Sequence, residues 1–276
     1  MPIVTRPDVD PIELELLLSG IFTRYGHDFR RYARASILRR AARALEVLGL
    51  GSLSELHEKV FADEALFVRL LGLLTVSTTE LFRDPQFYVA LRERVLPYLR
   101  TYPSLRLWVA GCSSGEEVLS LCIVLDEAGL LERTLVYATD INPLGLERAR
   151  KGIYRDDEVG GSARGYHAAG GRRSLSDYYT ADYGSALFHP RLLERVVFTE
   201  HSLATDGVFS EVQLVSCRNV LIYFERPLQD RALGLFAESL CHRGFLCLGA
   251  RETLRLSEHR RVFEAVPGRD RIYQKR

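Results

Sequence analysis

Cysteine is scarce in this chain of 276 residues: there are five, at positions 112, 122, 217, 241 and 247. The count is odd, no pair is spaced Cys-x-x-Cys, and no His/Cys cluster has zinc-ligand spacing. This argues against a disulfide framework and a structural metal, and a reducing cytoplasmic setting is expected. Net charge is missing too. The 37 Lys and Arg against 36 Asp and Glu leave +1, so no global field draws the chain onto nucleic acid or an anionic membrane. No apolar run reaches the roughly 18 residues of a membrane span. The first ten residues, MPIVTRPDVD, hold no signal-like apolar stretch, so export is not expected. Lysine stands only at 59, 151 and 275, which leaves the basic side chains almost wholly arginine. What is present is 47% apolar residues, enough for a large core and one or two domains.

The first 75 or so residues read as helices. Asp10-Pro11 is an N-cap with proline at the first helical position, and Leu14, Leu17, Leu18, Ile21, Phe22 and Tyr25 recur at helical spacing up to Gly26. A second helix is predicted from about Asp28 to Leu48, a capping box at Ser52 and Glu55 opens a third, and Asp63 opens a fourth. Beyond them, Asp84-Pro85 starts a helix to about Leu99. Short apolar runs follow at 105–110, 134–140, 196–200, 212–217 and 244–249, alternating with helices. That alternation predicts an α/β fold with a doubly wound, mainly parallel sheet, ended by a hairpin around Pro267-Gly268. The glycine- and tyrosine-rich stretch 152–192 breaks the rhythm and reads as an insertion on the sheet rim.

Four constellations carry chemistry. The first is the turn Gly111-Cys-Ser-Ser-Gly115 feeding a helix that opens with Glu116 and Glu117. It is neither a phosphate loop nor Gly-x-Gly-x-x-Gly. Two acids would repel pyrophosphate but suit a cationic ligand such as S-adenosylmethionine, which carries an ammonium and a sulfonium. The plainer reading is a pair of helix-dipole partners. Asp140, ending the second strand, suits ribose hydroxyls. As a helix cap it would be redundant with Asn142-Pro143. In TVSTTELFRDP (75–85), hydroxyls and Arg83 precede a helix, and on pattern alone the plainer reading is a hinge with Arg83 paired to Asp84 or Glu80. In VSCRNVLIYF (215–224), Arg218, Asn219 and Tyr223 follow a strand end and should face the same crevice.

The RYGHDFRRYARASILRR segment, LFRDP, GCSSGEE, YATDIN, FTEHSLATD and CRNVLIYF, in the family's order over about 12–255, resemble the CheR family of S-adenosylmethionine-dependent glutamate O-methyltransferases of chemotaxis receptors. The resemblance implies a small all-helical N-terminal domain (1–75). It implies a Rossmann-like methyltransferase domain (76–276), with helices on both faces of the sheet and a small subdomain inserted at about 152–192. It implies S-adenosyl-L-methionine contacts at Thr79, Arg83, Glu117, Asp140, Leu203, Arg218 and Asn219, with Arg83 and Tyr223 in the active site. Ser77 and Ser202 stand at two further cofactor positions where the family usually has Asn, and Val118 stands where proline is common. Serine offers one donor where asparagine offers two. The basic segment with Arg30, Arg31, Arg34, Arg39 and Arg43 is implied to dock on the acidic methylation helices of a receptor, the bland alternative being a solvated face. No nucleic-acid partner and no membrane insertion are expected. Other readings are a methyltransferase of another protein or a small carboxylic acid, and a cofactor-binding module without catalysis.

Overall fold

The computed structural model describes residues 9–76 and 79–276. Four helices come first: α1 (Pro11–Tyr25), α2 (Arg34–Leu48), α3 (Leu53–Ala62) and α4 (Glu64–Leu74). Asp10, Ser52 and Asp63 accept backbone N–H groups at the starts of α1, α3 and α4, and Gly26 and Gly49 end α1 and α2 in the left-handed region. Leu17, Ile21, Ile37, Ala41, Leu45, Leu56, Val60 and Leu70 make their common core.

The second helix is shorter than its periodicity predicts. Asp28 turns the chain by accepting the Arg30 N–H, and Asp28 to Ala33 then stays out of the helix because its backbone pairs elsewhere. Tyr32 bridges Phe224, Ala33 N–H donates to the Tyr223 carbonyl at 2.8 Å, and Glu225 N–H donates to the Arg31 carbonyl at 2.8 Å. Tertiary pairing overrides local propensity here, and it ties the helical part to the segment that carries Tyr223.

The helix predicted over 84–99 is interrupted. α5 (Pro85–Ala90) passes through a π-helical turn at Leu91–Val95 into α6 (Leu96–Leu99). Pro97 has no N–H to give to the preceding turn, which accounts for the wide turn beside it.

The remaining elements are β1 (Leu105–Ala110), α7 (Glu116–Glu127), β2 (Thr134–Asp140), α8 (Pro143–Lys151), β3 (Ile153–Arg155), α9 (Asp156–Gly161), α10 (Ala163–Ala168), β4 (Tyr179–Asp182), β5 (Ser185–Phe188), β6 (Val196–Glu200), β7 (Val212–Cys217), α11 (Arg226–Ser239), β8 (Leu240–Leu248), β9 (Phe263–Ala265) and β10 (Ile272–Lys275). The main sheet runs β6-β2-β1-β7-β8-β10-β9. The first five are parallel, and the closing hairpin β9–β10 is antiparallel. Alternate residues of β1 go to opposite faces. Leu105, Leu107 and Val109 join the core under α5–α7, while Trp108 and Ala110 join the core under α11. The insertion folds as a small antiparallel sheet, β3-β5-β4, with α9 and α10 beside it.

Candidate active site

Strand order reverses between β1 and β7: the chain goes outward through β1, β2 and β6, then returns to β7 on the other side. Loops therefore part at their carboxyl ends, which is where ligands settle in open α/β sheets. A cleft of about 880 Å³, counting the space open at its mouth, lies there.

The structure brings Thr79, Arg83, Glu117, Asp140, Leu203, Arg218, Asn219 and Tyr223 together on its wall. Ser202 is not on that wall: its hydroxyl accepts the Ala204 and Thr205 N–H groups and caps its own turn. Ser77 lies outside the described residues. Arg30, Arg31 and Arg34 are exposed away from the cleft, and only Arg34 is helical. Arg30 is held by Asp28 at 2.8 Å and lies over the Phe22 ring.

Asp140 sits deep among protein atoms yet keeps surface toward the cleft. Its Oδ2 accepts the Ser113 N–H at 2.8 Å and its Oδ1 the Asn142 N–H at 2.9 Å. Each oxygen retains a lone pair. Burial pushes this carboxyl above the usual range, against those backbone donors. As expected, Asn142 and not Asp140 caps α8, by accepting the Leu144 N–H.

The two acids at the start of α7 do not act as a pair. Glu117 faces the cleft, where Ser216 donates to it at 2.6 Å and Arg218 at 3.1 Å. Glu116 turns to the other side of the turn, where the Ser114 hydroxyl meets both its oxygens. Positions i and i+1 on a helix diverge by about 100°, so adjacent carboxylates cannot share one ligand.

Arg218 is buried, with its guanidinium 4.0 Å over the Phe87 ring. It pairs with Glu117 and, at 3.0 Å, with Asp84, and it donates to the Arg83 carbonyl. The end of β7, the start of α7 and the loop before α5 are thereby joined. Cys112 also lines the cleft, where burial first and Asp140 second raise its thiol above the ordinary range and disfavour the thiolate.

Sequence reasoning missed the wall contributed by the helical part: Tyr32, Arg40 and Thr75. Arg40 is 9% exposed; its Nη1 donates to the Leu74 carbonyl at 2.6 Å and its guanidinium lies 4.6 Å over the Tyr223 ring. Its buried Nη2 has no hydrogen-bond partner among the described residues. The signal was available: Arg40 falls inside the apolar stripe of α2, between Ile37 and Ala41, where an arginine needs a reason. His201, Ile141 and Phe224, with Val76 and Val220, also line the cleft.

Gly111 shows why the turn needs glycine. Its φ is +76°, and a Cβ there would come within 2.5 Å of Val220 Cγ2. Gly111→Ala is expected to cost about 1–2 kcal/mol from the left-handed backbone alone, and thermal unfolding should show a drop of several degrees. An unchanged melting temperature would mean the turn relaxes freely.

Among the described residues no group of His, Cys, Asp and Glu could hold a metal ion, and no helix is long and apolar enough to cross a membrane. A family profile described as the CheR methyltransferase all-alpha domain matches residues 12–75, and the CheR methyltransferase SAM-binding domain profile matches residues 77–272. The chain is similar to a Pseudomonas putida protein that carries the provisional name methyltransferase Cher3, 52% identical over 96% of this chain and 97% of that one. It is 31% identical to chemotaxis protein methyltransferase 1 of Pseudomonas aeruginosa, over 83% of this chain and 86% of that one. It is 30% identical to a chemotaxis protein methyltransferase of Listeria monocytogenes, over 83% and 85%. The chain belongs to the CheR family of chemotaxis protein methyltransferases, which use S-adenosylmethionine.

Proposed function

We propose that this protein transfers methyl groups to glutamate carboxylates of a chemotaxis-type receptor, giving methyl esters and S-adenosylhomocysteine. The observation that carries this reading is that one cleft is lined by a carboxylate suited to ribose, Asp140, by two guanidiniums, Arg83 and Arg40, and by Tyr223. The residues present fit the cofactor: Asp140 has free lone pairs and Glu117 is an acceptor beside the turn. Thr79, Glu117, Asp140, Leu203, Arg218 and Asn219 would hold it. S-Adenosylmethionine supplies there a methyl group on a sulfonium that departs as a neutral thioether.

The protein's own task is placement. A glutamate side chain, with pKa near 4.3, is already ionised at neutral pH, so no general base is required. Arg83 orients that carboxylate, Arg40 adds its Nη2, and Tyr223, packed on Arg40, forms part of the same wall. Holding two reactants in line can lower a barrier by roughly 7–11 kcal/mol in good cases. The ester product is neutral, so the guanidiniums hold it less strongly than the ionised acceptor, which favours its release.

In this reading residues 1–75 are the helical domain that delivers Arg40, residues 76–276 are the methyl-transfer domain with its insertion at 152–192, and the protein works in the cytoplasm. Arg30, Arg31 and Arg34 dock the acidic helices of the receptor. Changing all three to Glu is expected to raise KM for a receptor fragment at least tenfold and to flatten the salt dependence of kcat/KM, with cofactor affinity unchanged. Equal KM in the triple variant would remove the docking role.

Radiolabelled cofactor, receptor-containing membranes and a base-lability assay test the whole reading. Base-labile label on the receptor supports it. Label on a soluble acid, or tight cofactor binding with no transfer, supports the alternatives.

A further inference from the structure

The segment after β7 carries three of the residues assigned above: Arg218, Asn219 and Tyr223. It is not regular structure. Asn219 is a non-glycine residue at φ +60°, and the next amides start a short 3-10 turn at Leu221–Tyr223. Three consecutive N–H groups, of residues 219, 220 and 221, therefore lack any ladder or helix partner.

All three end on one side chain from the loop after β8. Glu252 Oε2 accepts the N–H of Asn219 at 3.0 Å and of Gly249 at 2.6 Å. Its Oε1 accepts those of Val220 at 2.9 Å and Leu221 at 2.7 Å. Glu252 is 4% exposed and forms no ion pair among the described residues. A buried carboxylate without a cation is costly unless donors surround it. Four donors do, and three of them are the backbone of the catalytic segment, the fourth being Gly249 in the loop after β8. Burial raises its pKa against their pull.

The approach leaves no spare room. A Cβ on Gly249 would lie 2.8 Å from the Asn219 nitrogen and 2.9 Å from Glu252 Oε2. From the opposite side, Tyr223 O and Glu225 N are held by Ala33 and Arg31. The segment is fixed at both ends, and the Glu252 end is the one that sets Asn219.

We propose that Glu252 is a positioning residue for methyl transfer: its carboxylate gathers the amides of residues 219–221 and so sets Asn219 toward the cofactor and Tyr223 toward the acceptor. This rests on the reading of Asn219 and Tyr223 given above. A glutamine of the same volume can accept on one atom only. Its amide group would face two N–H donors, so two of the four bonds are lost and the segment is released.

The test uses the full chain with Glu252→Gln, and Leu125→Ala, buried in α7, as a control for general destabilisation. Calorimetry with S-adenosylhomocysteine should show Kd raised more than fivefold for E252Q, with kcat reduced as well. L125A, at an equal or larger loss of melting temperature, should stay below fivefold. A Kd below fivefold for E252Q, or the same loss in L125A, overturns the proposal. If E252Q does not fold, Glu252→Asp is judged by the same line. A parent enzyme that binds and methylates normally while Asn219→Ala and Tyr223→Phe have no effect would instead sink the underlying reading.

Discussion

Asp140→Ala is expected to remove cofactor binding, with Kd raised at least a hundredfold by calorimetry while the fold persists. The carboxylate is the only anionic group at the end of β2 that faces the cleft, and each of its oxygens has one protein donor and one lone pair to spare. Hydrogen bonds to a charged group contribute about 1.5–3 kcal/mol each. Losing two of them amounts to roughly a hundredfold or more, at 1.4 kcal/mol per factor of ten. Asp140→Asn should also fail, because its amide group would meet the N–H of Ser113 or of Asn142. The pH dependence follows with a definite sign. Ribose hydroxyls prefer the ionised carboxylate, so affinity is full above the free-state pKa and falls as pH drops through it. Burial raises that pKa, so the fall should begin above the ordinary range near 3.9. Unperturbed binding by Asp140→Ala would place the nucleoside elsewhere.

Much of this site was legible because short motifs sit at strand ends, and strand ends are where a parallel sheet opens. Asp140, Glu117, Arg218 and Asn219 follow continuous apolar runs that admit one interpretation, a buried strand. Other features were illegible for physical reasons. Glu116 and Glu117 look equivalent in sequence, but helical rotation sends them to different sides. Arg30 and Arg31 lie in a helical pattern that the backbone abandons to pair with residues 223–225, a contact nearly 200 positions away in the chain. Arg40 passed as one more arginine in an arginine-rich chain, although its place inside an apolar stripe marked it. Glu252 gave no signal, since a carboxylate that serves backbone amides leaves no motif of its own.

The second large effect separates chemistry from binding. Arg83→Ala is expected to lower kcat about a hundredfold, the loss that follows when two reacting groups are no longer held in line, while cofactor Kd moves only a few fold. Arg83→Lys should recover little, since a point-charge ammonium cannot reproduce a planar bidentate fork. Arg40→Ala should also lower kcat, and it adds a stability cost of about 1 kcal/mol because the Leu74 carbonyl loses its donor. If both guanidiniums hold the same carboxylate, the double variant will lose far less than the product of the single losses. If they act on different groups, the losses will multiply. Single-turnover rates with saturating cofactor and a receptor fragment decide between these. An Arg83→Ala enzyme that turns over normally would show that the acceptor is steered from the α2 side alone, with Arg40 and Tyr223 as the groups that meet it.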